Sequence, residues 1–364
     1  MKRNHYAKWF VLILLFAEVF VSSAAITLNI GDQAPKIQVS KWVQGEAVTD
    51  FKTNNTYLLE FWATWSGPCR DSVPRLNEIH KKFKDKGLIV IGVNTWERDT
   101  AKIEPFIKEL GSNMTYRVAV DLIPENEKAC DGKMAETWMA TSGEDTIPTA
   151  YFVNKEGKIA WIGHSIELEE KTITQLVDGT FDVKRASEER RKVQSAEQEL
   201  LTLVGDLDAY MGSNDWNKAS VTVDEIEKRL KPNEKANLAF IRLEIAIGRG
   251  DSKIANKLAM ELGNQNKESA LIQNNLAWRM ATDDHLKERD LEGAAKLAHR
   301  ANDLSGGKSS VILNTFARIK FMQGEKDKAI ELESKAVELS TERVKAGYQK
   351  ALESYKTGKL PPVE

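Results

Sequence analysis

One stretch concentrates residue types that can do chemistry. The apolar run Leu59-Glu60-Phe61-Trp62-Ala63 leads through Thr64 into Trp65-Ser66-Gly67-Pro68-Cys69, and a helical pattern follows. A thiol in the first turn of a helix sits near unpaired backbone N–H groups and the positive end of the helix dipole. Both favour thiolate, so Cys69 is expected to react below the free thiol value of about 8.5. Ser66 stands three residues earlier. Its hydroxyl ionises far above neutral pH, has no evident adjacent base and cannot form a disulfide.

The rest of the chain offers few other reactive groups. Cys130, the second of the two cysteines, lies in Glu125-Asn126-Glu127-Lys128-Ala129-Cys130-Asp131-Gly132. It could pair with Cys69 only if their α-carbons approach within about 7 Å. Acidic neighbours blunt it, so it reads as a free loop thiol. The histidines (His5, His80, His164, His285 and His299) show no ligand spacing, and no metal or cofactor is expected. Charge runs such as Glu188-Glu189-Arg190-Arg191 read as solvated helix surface. A net charge of −2 gives no reason to expect nucleic acid.

The elements that position the motif follow from hydrophobic pattern. Residues 57–62 and 88–94 are apolar runs suited to buried strands of a covered, parallel sheet. Helical spacing of Leu76, Ile79, His80 and Phe83 predicts a helix over 70–84, with Pro74 expected to kink it. Asp99 is placed to cap a helix running to Leu110. Further strands are expected at 116–120, 148–153 and 158–162, the last two joined by Asn154-Lys155-Glu156-Gly157. Short helices are expected at 132–140 and 167–177. Residues 37–42 are expected to form a hairpin with 47–48. The alternation predicts an α/β fold with helices on both sheet faces.

Composition changes near residue 184. Ala, Leu, Glu and Lys dominate from there, and the segments 290–304 and 325–339 match at a spacing of 35. Ala294 aligns with Ala329, Ala301 with Ala336 and Leu304 with Leu339. Each copy follows a helix with a small residue at its centre, Ala277 or Ala317, and a weaker copy spans 240–262. Small residues at fixed places let neighbouring helices approach closely. The period resembles tetratricopeptide-type helix pairs, and a plain helical bundle is the alternative. At the other end, Lys2, Arg3 and Lys8 precede an apolar stretch and Ser23-Ala24-Ala25. That reads as an export signal over 1–25, cleaved after Ala25, delivering the chain to the periplasmic or cell-envelope space; a retained anchor is the alternative, against which Glu18 interrupts an already short run.

The motif, the Gly31-Asp32-Gln33-Ala34-Pro35 entry and the segment from Met134 through Ile147-Pro148 to His164 resemble the thioredoxin superfamily. The likeness is strongest to its exported TlpA/ResA-like redoxins, whose motif reads W-C-x-P-C. The resemblance covers about residues 27–182. With the N-terminal pattern and the repeats, the chain is expected to divide into a signal over 1–25, a thioredoxin-like domain over 26–183 and an all-α tetratricopeptide-like domain over 184–364. The resemblance implies thiol-disulfide oxidoreductase activity on protein thiols and disulfides; the helical repeats are expected to offer a groove for a further protein or peptide partner.

Carried onto this sequence, the resemblance puts Ser66 in the nucleophile's place and makes Cys69 the resolving thiol. Glu60 becomes the buried acid that accepts the resolving thiol's proton, and Pro148 a cis-proline facing the thiols. Trp65, Gly67, Pro68 and Ile147 become partner contacts. With serine at the first position, two-thiol exchange is unavailable. Three explanations stand open: an engineered Cys→Ser change, a natural non-catalytic binding module, or a one-cysteine, S-x-x-C peroxidase-like redoxin. Against the last, Trp62 occupies the place where peroxidases carry proline.

Overall fold

The computed structural model describes residues 26–129 and 131–363, so the expected export signal and Cys130 lie outside the described residues. The chain forms two compact units, which divide between Glu197 and Gln198.

The first unit is built on a six-stranded mixed sheet of order β1-β4-β3-β2-β5-β6. The strands are β1 (Val39–Gln44), β2 (Thr56–Trp62), β3 (Leu88–Asn94), β4 (Arg117–Asp121), β5 (Thr149–Val153) and β6 (Ile159–Gly163). β2 pairs in parallel with β3, and β3 with β4. β5 runs antiparallel between β2 and β6. β2 is buried along its whole length, as its apolar run predicts. This is the thioredoxin-like arrangement that the motifs imply.

Strand alternation splits the core into two layers. Leu58, Trp62 and Val90 pack with Cys69, Leu76 and Ile79 of helix α1 (Gly67–Phe83) on one face. Tyr57, Leu59, Phe61 and Ile91 pack with Trp138 and Tyr151 on the other. Glu60 falls on the α1 face, between Leu58 and Trp62.

The expected hairpin of 37–42 with 47–48 does not form. β1 instead lies antiparallel to β4, with Val39 opposite Asp121 and Trp42 opposite Ala119. The outer edge of β4 carries backbone donors and acceptors that need partners, and β1 satisfies them. Val48 serves as a buried core side chain. Asp99 caps a 3₁₀ turn (Thr100–Lys102), accepting from the Ala101 N–H at 3.1 Å, and α2 (Ile103–Leu110) follows with Pro105 in its first turn. Residues Ala135–Ala140 form a π-type helical segment. Helix α3 (Glu170–Asp178) closes the α1 face.

Helix α4 (Val183–Ser213) begins in the first unit and ends in the second. Its start packs on the sheet core through Val183 and Ala186, and Arg190 donates to the Ser142 carbonyl and the Glu144 carboxylate. A change to helical composition therefore precedes the division of the chain.

The second unit is all helical. It comprises the end of α4, then α5 (Trp216–Arg229), α6 (Leu238–Gly248), α7 (Ser252–Gln265), α8 (Ala270–Thr282) and α9 (Leu291–Leu304). After these come α10 (Ser310–Met322), α11 (Lys326–Leu339) and α12 (Glu342–Lys356). The aligned residues behave alike. Ala294, Ala329, Ala301 and Ala336 are all fully buried, whereas Leu304 and Leu339 are both exposed. The copies differ in length because the connection 283–290 between α8 and α9 is longer than 323–325 between α10 and α11. A helical-repeat arrangement accounts for both features.

Candidate functional site

The motif occupies the turn from β2 into α1. Ser66 is the N-cap, its hydroxyl accepting from the Cys69 N–H at 3.4 Å. Capping turns the Ser66 side chain toward the helix and buries it. Gly67 and Pro68 are exposed, and a Cβ on Gly67 would meet no atom within 4 Å. Trp65 is 42% exposed, beside them. The motif therefore presents Trp65, Gly67 and Pro68 to solvent and turns Ser66 and Cys69 inward.

Cys69 has no exposed surface. Burial pushes its thiol pKa up, the Ser66 hydroxyl and the Ala63 backbone pull it down, and the Glu60 charge pushes it up again. The helix terminus was expected to activate this thiol. Desolvation outweighs it, because a charged sulfur here would have no water around it.

Glu60 lies beneath, on the same face of β2, and is also fully buried. Its carboxylate accepts from the Ser72 hydroxyl at 2.7 Å and from the Ser165 hydroxyl. Burial raises its pKa, against the lowering effect of both hydroxyls and of the His164 charge. Ser72 also donates to the Cys69 carbonyl at 2.8 Å, tying the carboxylate to the first turn of α1. The Ile147–Pro148 bond is cis. Pro148 is buried, and Ile147 is half-buried against both core layers.

Two residues at this site carry no motif and escape sequence reasoning. Glu97, buried in the loop after β3, gathers four donors: Thr64 N at 2.8 Å, Thr64 Oγ1 at 3.0 Å, Asn94 Nδ2 at 3.2 Å and Arg98 N at 3.0 Å. The same loop holds Trp65. The indole N–H donates to the Trp96 carbonyl at 2.9 Å, and the Arg98 guanidinium lies 4.4 Å from the ring centroid. The available signal is topological: β3 neighbours β2, so the loop that follows it must flank the motif. Tyr116 is the second. It is buried in the same core layer, and burial, Glu60 and Cys69 all push its pKa up.

Among the described residues no group of three or more His, Cys, Asp or Glu side chains could hold a metal ion. No described helix is long and apolar enough to cross a membrane.

The AhpC/TSA family profile matches residues 30–162, all in the first unit. The thiol-disulfide oxidoreductase ResA of Bacillus thuringiensis subsp. konkukian is 30% identical over 134 residues, 36% of this chain and 68% of that protein. Protein FixW of Rhizobium leguminosarum is 28% identical over 173 residues, 46% of this chain and 73% of that protein. Among solved structures, a putative thiol:disulfide interchange protein DsbE from Chlorobium tepidum is 26% identical. It covers 42% of this chain and 99% of its own, with a TM-score of 0.33.

Proposed function

Because the chain belongs to the ResA-like thiol-disulfide oxidoreductases of the AhpC/TSA family, we propose that its first unit recognises protein thiols and disulfides without turning them over. The observation that carries this reading is the state of the one thiol in the motif: Cys69 is fully buried, and its pKa is raised. Two-thiol exchange needs an exposed thiolate to attack the partner disulfide, forming a mixed disulfide and releasing one partner thiolate. A second thiolate then attacks the mixed disulfide, frees the other partner sulfur and leaves an oxidised pair. Ser66 cannot take the first step. A one-cysteine peroxidase would need an exposed, low-pKa thiol, and Cys69 is neither.

In this reading the partner meets the exposed Trp65, Gly67 and Pro68 and the half-buried Ile147, with the cis Ile147-Pro148 bond beside them. Glu60 would serve as proton acceptor for Cys69 only when a cysteine stands at position 66. The helical unit holds a further protein partner. The N-terminal pattern supports export, with cleavage after Ala25.

Restoring Ser66→Cys tests the proposal. The restored chain should reduce insulin disulfides with dithiothreitol as the terminal reductant, while the chain as it stands should not exceed the dithiothreitol background. Iodoacetamide labelling, resolved by mass spectrometry at the Cys69 peptide, should be slow at neutral pH. Fast labelling of Cys69, or equal reductase rates for the two chains, refutes the reading.

A further inference from the structure

Among the described residues of the second unit, Arg318 and Arg289 each have a buried, unpartnered Nε and form no ion pair. Arg318 on α10 is only 6% exposed. Its Nη1 donates to the Pro361 carbonyl at 2.9 Å, and its guanidinium lies 5.6 Å from the Trp278 ring on α8. Its Nε is buried without a partner. Arg289, in the connection between α8 and α9, donates through Nη2 to the Asp283 carbonyl at 3.1 Å, and its Nε is likewise buried and unpartnered. The Asp283 carboxylate is already taken by Arg279 and His285. The Tyr355 hydroxyl on α12 is a third buried polar group without a partner. Arg289 and Tyr355 both lie close enough for their charges to act on Arg318.

Buried polar groups are ordinarily satisfied, and buried charges ordinarily paired. Arg279 is paired with Glu244 and Asp283, and Arg242 with Asp224 and Glu227, whereas Arg318 and Arg289 form no ion pair among the described residues, and the buried carboxylate whose charge reaches Tyr355, Glu333, is held by Asn314. Around Arg318 two guanidinium Nε–H groups lack an acceptor and the Tyr355 hydroxyl lacks any partner. Arg318's acceptor comes from the chain's own extended segment after α12, whose Pro361 is buried there.

We propose that Arg318, Arg289, Trp278 and the Tyr355 hydroxyl form a binding site for an extended protein segment bearing an acidic side chain, and that the segment around Pro361 occludes it until that ligand displaces it. The ligand's carboxylate would accept from the free guanidinium N–H groups, which the Pro361 carbonyl leaves unused. Bonds to a carboxylate are stronger than those to a neutral carbonyl, so an acidic ligand has a means of outcompeting the Pro361 carbonyl. Occlusion lowers apparent affinity in proportion to the fraction of open sites. The inference rests on the reading that the helical unit binds protein, and it is independent of the thiol chemistry.

The test uses the full chain and two fluorescein-labelled, C-terminally amidated tetrapeptides, LPEV and its neutral twin LPQV, followed by fluorescence anisotropy. LPEV should bind about tenfold or more tightly than LPQV, the ratio expected of one hydrogen-bonded charge. Arg318→Gln and, separately, the more peripheral Arg289→Gln should each reduce that ratio, with helix content checked by circular dichroism. Pro361→Gly, which loosens the occluding segment, should strengthen LPEV binding. Equal affinities for LPEV and LPQV overturn the acidic-ligand site while leaving a peptide-binding helical unit intact. No binding of either peptide to the Pro361→Gly chain overturns the site itself.

Discussion

Glu333 on α11 offers a quantitative test of how the helical unit is held together. It has no exposed surface. Asn314 Nδ2 donates to both carboxylate oxygens, at 2.9 and 3.1 Å, and among the described residues no cation pairs with it. Burial raises its pKa from the ordinary 4.5 to about 7, with the Asn314 contact offsetting part of the shift. A folded-state pKa above the unfolded one means that the folded chain holds the proton more tightly. The stabilisation is therefore full below about pH 4.5, is lost as pH rises toward 7, and changes no further above that. At 1.36 kcal/mol per pH unit, the loss across this window is about 3 kcal/mol.

Glu333→Gln keeps an oxygen for Asn314 and removes the charge. The variant and the parent should have similar stability near pH 4.5. By pH 8 the variant should be more stable by about 3 kcal/mol, as an upper figure. Urea unfolding is run at each pH and read by pulsed hydrogen exchange in the Lys326–Leu339 segment, so that the second unit is scored apart from the first. Parallel pH profiles for the two chains, or a variant less stable at pH 8, would refute the claim that an uncompensated buried carboxylate sits in this helix pair.

Two substitutions probe the first unit. Gly92→Ala would bring a Cβ to 2.9 Å from Trp62 Nε1 and 3.1 Å from Tyr116 Cε2, so overpacking should cost about 1–3 kcal/mol, and an unchanged thermal midpoint would show that the two rings yield freely. Glu97→Ala strands the Thr64 N–H and hydroxyl, with an expected loss of about 2–3 kcal/mol and faster exchange of the Thr64 amide; an unaltered amide would mean that the Glu97 loop does not hold the motif.

What the sequence makes legible depends on how local the determinant is. β2 and β3 could be read almost residue for residue, because a strand buried on both faces must be an unbroken apolar run. The hairpin 154–157 was equally readable. The Asn154 side chain accepts from the Glu156 and Lys158 N–H groups, a bond pattern written into five adjacent residues. The partner of β1 could not be read, because its register is set against β4, far along the chain, and nothing near Val39 encodes it. The buried alanines of the repeats were visible at their spacing. Glu333 was not, although it occupies the place after its helix cap that Ala259 and Ala298 fill in the other copies. An expectation of alanine there is correct for packing, and the departure is informative only once the register is known.

Cys69 shows the same limit in chemical terms. Position in a first helical turn is a local property, and it argues for a lowered thiol pKa. Burial is a property of the whole unit, and it argues for a raised one. The two meet at one sulfur. Burial prevails because α1 presses Cys69 onto Leu58, Trp62 and Val90 with no solvent face, while the helix terminus can stabilise only charge that forms. In a two-thiol site this division is useful. The exposed-side thiol reacts first, and the buried one need become a thiolate only after a mixed disulfide stands beside it, with a carboxylate such as Glu60 in reach of the proton. With serine at position 66, Cys69 has no mixed disulfide beside it to activate it, although the fold and the buried carboxylate remain. On the proposed reading, Ser66 therefore does more than subtract one sulfur: it leaves Cys69 and Glu60 without the first step that they would complete.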